Sequence, residues 1–194
     1  MKIRTLIVAS TFLLAVAARG SAYYGNYTDL PQSSSHSANY LLGSAISVDQ
    51  PVTLSAAGII FRTSGYDANV GLYSDVGGHP SQLLATTGSF LVGTTGRVET
   101  AFLSTPTLGP GTYWFMADFD AFASVGYNQP TGALVDYRSL TFTSTLPTTF
   151  GTATEYSGQS FNYYLVTVPE PQALWVLGLG LVITFMRRRR FGGG

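Results

Sequence analysis

The sequence predicts an all-β fold: a single antiparallel, jelly-roll-like β-sandwich flanked by an N-terminal signal helix and a C-terminal transmembrane helix. Three observations predict it. Short runs rich in β-branched and aromatic residues recur between Gly, Pro, Asn and Asp turn signals, with 22 glycines and 9 prolines in 194 residues. Apart from one apolar stretch at each end, no long segment shows helical periodicity. Charged residues make up 10% of the chain, against about 25% in an ordinary soluble domain, and the basic ones gather at the two ends.

Residues 1–22 read as a signal peptide. Lys2 and Arg4 precede an apolar run over residues 6–18, and Arg19-Gly20-Ser21-Ala22 offers the small residues that signal peptidase accepts, placing the cut between Ala22 and Tyr23. As a helix the run reaches about 20 Å, short of a hydrocarbon core of about 30 Å. A buried first helix of a globular domain is the competing reading. Residues 23–39, rich in Ser, Asn, Gly and Tyr, read as a loose arm or an edge strand.

Residues 40–168 carry the sandwich. The candidate strands are 40–48, 52–62, 69–74, 83–92, 97–103, 111–119, 122–127, 134–143 and 161–168. Over 111–119, alternation puts Tyr113, Phe115, Ala117 and Phe119 on the better core face, with Thr112, Trp114, Met116 and Asp118 opposite. Both faces of 161–168 have apolar residues, which predicts a central strand. Gly77-Gly78, ahead of His79-Pro80, predicts a tight turn with positive φ.

At the other end, Val168-Pro169-Glu170-Pro171 stops any preceding strand and displays Glu170 in an extended, accessible segment. An uncharged apolar stretch follows over 173–186, then Arg187, Arg188, Arg189 and Arg190. The arginines act as a stop-transfer cluster, so the expected topology is N-terminus out and C-terminus in across the inner membrane. The apolar stretch reaches about 21 Å as a helix, a mismatch that a temporary span tolerates better than a permanent one.

Pro-Glu-Pro, a short apolar helix with Gly178 and Gly180, and a terminal arginine cluster together resemble the PEP-CTERM sorting tail of Gram-negative bacteria. The resemblance covers residues 169–194. It implies recognition by an exosortase, an integral membrane protease or transpeptidase, acting through Val168, Pro169, Glu170 and Pro171, with removal of the tail. It also implies export to the cell surface or extracellular matrix, in association with exopolysaccharide or biofilm. An ordinary single-pass anchor is the alternative. A second resemblance rests on Val70-Gly71-Leu72-Tyr73 through Leu83-Leu84-Ala85, and on Leu103 to Trp114, where strand, proline, leucine, glycine turn and aromatic strand recur. This grammar is similar to that of choice-of-anchor β-sandwich domains of bacterial surface proteins, a family without a settled activity.

Without cysteine there is no disulfide framework, thiolate nucleophile or cysteine-ligated metal. The formal net charge of +0 offers no basic field for nucleic acid. That neutrality is an average: residues 23–168 hold three arginines against nine acids, a net charge of −6. Catalytic constellations are thin. His36 lies in the serine-rich arm and His79 in a glycine-proline turn, where a solvated turn residue is the ordinary role. Asp118 and Asp120, two apart at a strand end, are calcium candidates lacking a dense Asp/Asn loop, and Asp67, Asn69 and Asp75 form a second such group. Exposed aromatic rings suited to sugar stacking are expected at Tyr66 and Tyr127, and in the arm at Tyr23, Tyr24 and Tyr27.

The expected function is therefore that of an exported, non-catalytic surface or matrix protein without a cofactor. Its partners are signal peptidase, an exosortase, the inner membrane and, as a candidate, exopolysaccharide. The alternative is an extracellular polysaccharide-acting enzyme or carbohydrate-binding module.

Overall fold

Every regular element of the computed structural model, which describes residues 21–169, is a β-strand. No helix among these residues is long and apolar enough to cross a membrane. The expected signal helix and transmembrane helix lie outside the described residues.

The strands in chain order are β1 (Tyr23–Gly25), β2 (Gln32–His36), β3 (Tyr40–Val48), β4 (Val52–Phe61), β5 (Tyr66–Val76), β6 (His79–Val92) and β7 (Gly96–Ala101), followed by β8 (Thr107–Leu108), β9 (Gly111–Phe119), β10 (Ala123–Asn128), β11 (Leu134–Ser139), β12 (Thr154–Ser157), β13 (Ser160–Phe161) and β14 (Tyr163–Thr167). They form two antiparallel sheets. The first runs β1-β14-β4-β10-β13, with β2 pairing β10 and both β7 and β8 pairing β4. The second runs β12-β11-β3-β9-β5-β6. This is the expected β-sandwich.

Period-two alternation explains the core between the sheets. Phe115, Ala117 and Phe119 from β9, with Leu42 and Ile46 from β3, pack against Leu54, Ile59 and Phe61 from β4 and Tyr163 and Leu165 from β14. The rings of Phe115 and Tyr163 stack across the gap with centroids 4.7 Å apart.

A second apolar layer lies on the outward face of the second sheet. Leu41, Tyr73, Trp114 and Met116 are covered there by Leu146 and Phe150, from the long connection between β11 and β12. This strap is fastened by its backbone: Leu83 N–H donates to Thr148 O and Phe150 N–H to Ser81 O, both at 2.8 Å. The Tyr73 hydroxyl donates to Pro147 O at 2.8 Å, and the Arg138 guanidinium donates to Phe150 O. The face of β9 that alternation assigns outward is thus buried as well.

Several expectations are corrected. Of the two readings of residues 23–39, the loose arm gives way to the edge strand: β1 adds to β14 at the sheet edge, and β2 pairs with β10 from His36↔Ala123 to Gln32↔Tyr127. The expected strand 134–143 stops at Ser139 and becomes the strap. The expected strand 161–168 breaks at Asn162, whose buried amide ties down the arm. Its Nδ2 donates to Asn26 O and Thr28 O, while its Oδ1 accepts from Leu30 N–H. The Asn162 side chain thereby satisfies three backbone groups that would otherwise be stranded, while its own N–H and C=O bond to Gly126 and Ile60.

Candidate functional site

Strand β14 carries the chain to its sorting segment, and its last residues are held at the first sheet. Thr167 is buried, its N–H donates to Ala22 O at 3.0 Å, and its Oγ1 accepts from Ala22 N–H at 3.0 Å. Val168 N–H donates to Thr53 O at 2.8 Å. Pro169, which has no N–H to continue a ladder, is exposed. The β14 ladder ends at Thr167, and Val168, the first residue of the expected sorting segment, still bonds to β4. Glu170, Pro171 and Arg187 to Arg190 lie outside the described residues.

The expected signal-peptidase bond, Ala22–Tyr23, sits beside this exit, because β1 pairs with β14 in the register Tyr23↔Val166. Ala22 thus lies beside the end of β14, bonded to Thr167 through both its N–H and its carbonyl.

The proposed sugar-contact tyrosines separate. Tyr66 is 5% exposed, packed edge-on to Phe61 and Phe119, with its hydroxyl donating to Thr63 O at 3.1 Å. It offers no ring face to a sugar: as the first residue of β5 it turns inward rather than staying in the expected turn. Tyr127 is half-buried against the inter-sheet core. The exposed ring is Tyr27, which stacks on Tyr23 at 5.2 Å. Tyr23 in turn meets Tyr164 edge-on at 5.8 Å, and the Arg97 guanidinium lies over both Tyr23 and Tyr164. The Tyr164 hydroxyl donates to Glu99 Oε1 at 3.0 Å.

The calcium candidates are not brought together. Asp118, opposite Asn69 in the β5–β9 register, is fully buried, with neither carboxylate oxygen hydrogen-bonded, and burial pushes its pKa up to about 7. Asp120 lies past the strand end and is exposed, and its Oδ1 accepts from Asp67 N–H at 2.8 Å. Asn69 is also buried, donating to Thr143 O and accepting from the Thr86 hydroxyl. Asp75 accepts from Trp114 Nε1–H at 2.8 Å and from Gly78 N–H at 3.3 Å.

His36 is buried among Phe119, Phe161 and Tyr163. Its Nδ1 lies 3.2 Å from the Tyr163 hydroxyl, its Nε2 has no partner, and burial lowers its pKa to about 3. It is therefore a neutral packing residue near neutral pH.

The constellation that sequence reading missed involves His79. Gly77 and Gly78, at φ 65° and 86°, form the tight β5–β6 turn as expected. The two Asp75 hydrogen bonds hold this turn near β9. His79 Nδ1 comes within 2.9 Å of Asp136 Oδ2 on β11, and Glu155 on β12 is the direct cross-strand neighbour of Asp136. One ligating atom from each of the three lies within 4.8 Å of the others. The Asp136 side chain is wholly buried, its Oδ1 without a partner, whereas that of His79 is half exposed. The hydrogen bond with Asp136 raises the His79 pKa, and burial raises that of Asp136. The separation of 57 positions from His79 to Asp136 explains why no local motif announces the group.

Residues 167–190 match the PEP-CTERM protein-sorting motif. The match begins on the last residue of β14. No curated protein matches the chain.

Proposed function

We propose that this chain is an exported, non-catalytic surface protein whose tail is recognised, and removed near Pro169-Glu170-Pro171, by an exosortase in a Gram-negative inner membrane. The match to the sorting motif at residues 167–190 carries this reading. Its position supports it further: the motif starts on the last residue of β14, and its sequence sets a proline on each side of Glu170. Signal peptidase supplies the other cut, after Ala22, and the sandwich is then released to the surface or matrix, where it acts as a choice-of-anchor-like module.

The test is intact-mass analysis of the exported protein from strains with and without active exosortase. The active strain is expected to yield protein lacking residues 173–190. Replacing Pro169, Glu170 and Pro171 together by alanine is expected to leave the tail attached in at least nine molecules in ten. Mature protein that keeps residues 173–190 in the active strain sinks the proposal.

The non-catalytic part of the reading is supported by three of the acid–base groups, those outside the His79 cluster. His36 and Asp118 are buried, and Asp120 is engaged with Asp67. The groove beside His36, lined by Ser35, Tyr40, Tyr137 and Tyr156 among others, encloses about 190 Å³. Small-molecule sites usually enclose about 300–1,000 Å³.

The Tyr27–Tyr23–Arg97 stack favours carbohydrate contact as the role of the domain, the reading that also accounts for an association with exopolysaccharide. An exposed ring backed by a second ring and flanked by a guanidinium is suited to the apolar face of a pyranose. The net charge of −6 over residues 23–168 opposes long-range attraction to anionic polymers, which leaves short-range stacking as the means of contact. Tyr27→Ala is expected to weaken binding to the host's own exopolysaccharide about tenfold in a titration followed by tyrosine fluorescence. No saturable signal from the wild type at millimolar sugar equivalents counts against this role.

A further inference from the structure

We infer that His79, Asp136 and Glu155 bind a divalent metal ion of the zinc class, clamping the β5–β6 turn to the β11–β12 edge of the second sheet. The three side chains come from three strands, and their ligating atoms already lie within 4.8 Å of one another. In a tetrahedral site with ligands at about 2.1 Å, neighbouring ligand atoms stand about 3.4 Å apart. The His79–Asp136 pair, at 2.9 Å, is near that spacing, and exposed Glu155 closes the rest by a change of rotamer.

Two independent features call for a cation there. Asp136 and Glu155 are directly opposed across an antiparallel pair, an arrangement in which like charges repel. The Asp136 carboxyl is also completely removed from water, yet its Oδ1 receives no hydrogen bond. Buried carboxylates are ordinarily paired or bound to metal, because the unpaired ion loses its hydration without replacement. His79 meets only Asp136 Oδ2, and a divalent ion compensates the two acid charges together.

The imidazole selects the class of metal. Calcium and magnesium take oxygen ligands, whereas one imidazole nitrogen with two carboxylates suits zinc and its first-row neighbours. Three protein ligands leave a fourth position for water or for a ligand on a partner molecule. The turn that carries His79 is fixed by Asp75, which accepts from both Trp114 Nε1–H and Gly78 N–H, so the His79–Asp136 pair is in place before metal arrives and only Glu155 has to move.

The test uses the full chain in detergent, without an oligohistidine tag, titrated with Zn²⁺ by calorimetry. One Zn²⁺ per chain is expected, with at least tenfold weaker binding in His79→Ala and in Glu155→Gln. Glu155 is exposed and its side chain has no hydrogen bond to lose, so Glu155→Gln keeps the wild-type circular dichroism, and the spectrum of His79→Ala, which unpairs Asp136, is measured alongside. Zn²⁺ is expected to raise the Tm of the wild type and leave that of His79→Ala unchanged. The chain has only two histidines, so ¹⁵N spectra of the imidazoles give a residue-level readout: the His79 ring nitrogens shift on Zn²⁺ addition, and those of buried His36 do not. Absence of saturable Zn²⁺ binding, wild-type affinity in the two variants, or Ca²⁺ binding as tight as Zn²⁺ overturns the inference.

Discussion

Gly43→Ala is expected to destabilise the sandwich by about 3 kcal/mol or more, enough to leave much of the protein unfolded if its total stability is the usual 5–15 kcal/mol. Gly43 sits in the middle of β3, opposite Met116 of β9. A Cβ at this position overlaps the Phe115 carbonyl oxygen, with the Phe115 carbonyl carbon at 2.7 Å and Met116 Cα at 2.8 Å. All three atoms are backbone, so no rotamer change relieves the overlap. The strands must part, and β3–β9 is an internal pair that joins the two halves of the second sheet. Parting them also disturbs Phe115 and Trp114, which pack on opposite faces.

Two other glycines show that the effect comes from the backbone approach and not from glycine itself. A Cβ on Gly58 falls inside the Tyr164 ring, a side chain that can move at some loss of packing, so Gly58→Ala is expected to cost less than Gly43→Ala. Gly93, with ordinary φ and nothing within 4 Å, is the control, and its alanine variant is expected to lie within about 0.5 kcal/mol of the wild type. Urea unfolding of the exported protein ranks the three. A Gly43→Ala midpoint equal to that of Gly93→Ala disproves the close approach.

How much of this was legible in the sequence depends on whether the information is local. Strands β3 and β9 fall on their expected bounds because dense aromatic and β-branched alternation, bounded by glycine and proline, is a local signal. The β5–β6 turn was legible for the same reason. β2 was not: Gln-Ser-Ser-Ser-His has no strand-forming composition, and it is a strand because β10 offers it an open edge. The strap was missed because Leu146 and Phe150 stand in a turn-rich segment without periodicity. Their place is decided by an apolar face that β9, β5 and β3 build only after folding. The sorting tail was fully legible because its motif is a linear run of residues. The His79 group was illegible because cross-strand register, unknown from sequence, decides that Glu155 meets Asp136. The exposure of Tyr66 was misjudged by the same ignorance of register.

His36 and Asp118 are expected to give this domain two opposed and nearly cancelling pH dependences, which single substitutions separate. His36 has its pKa lowered from 6.5 to about 3, so between those values the unfolded chain binds a proton that the folded one does not. Stability from this residue is fully present above about pH 6.5 and falls as the pH drops toward 3. Asp118 has its pKa raised from 3.8 to about 7, so over that interval the folded state holds the extra proton. Its contribution is fully favourable below about pH 4 and falls as the pH rises toward 7. From about pH 4 to 6.5 the two proton differences are equal and opposite, and each alone corresponds to about 1.4 kcal/mol per pH unit. The groups facing Asp118 do not alter the sign. Asp120 raises its pKa further, and the Phe119 backbone lowers it by less than burial raises it. Asp118→Asn keeps the shape and removes the titration. Relative to wild type it is expected to become progressively more stable as the pH rises from 4 to 7, reaching a gain of about 4 kcal/mol, less whatever the site recovers by relaxing. The double variant His36→Phe with Tyr163→Phe, which removes the imidazole without stranding its hydroxyl partner, should fall behind the wild type with the opposite slope and lose least in acid. Urea unfolding at half-unit steps from pH 4 to 8 gives both difference curves. Two flat curves would show that neither group is desolvated as its burial requires. Opposite slopes would establish that a carboxyl under the strap and an imidazole near the first sheet's edge jointly set the acid tolerance of the domain.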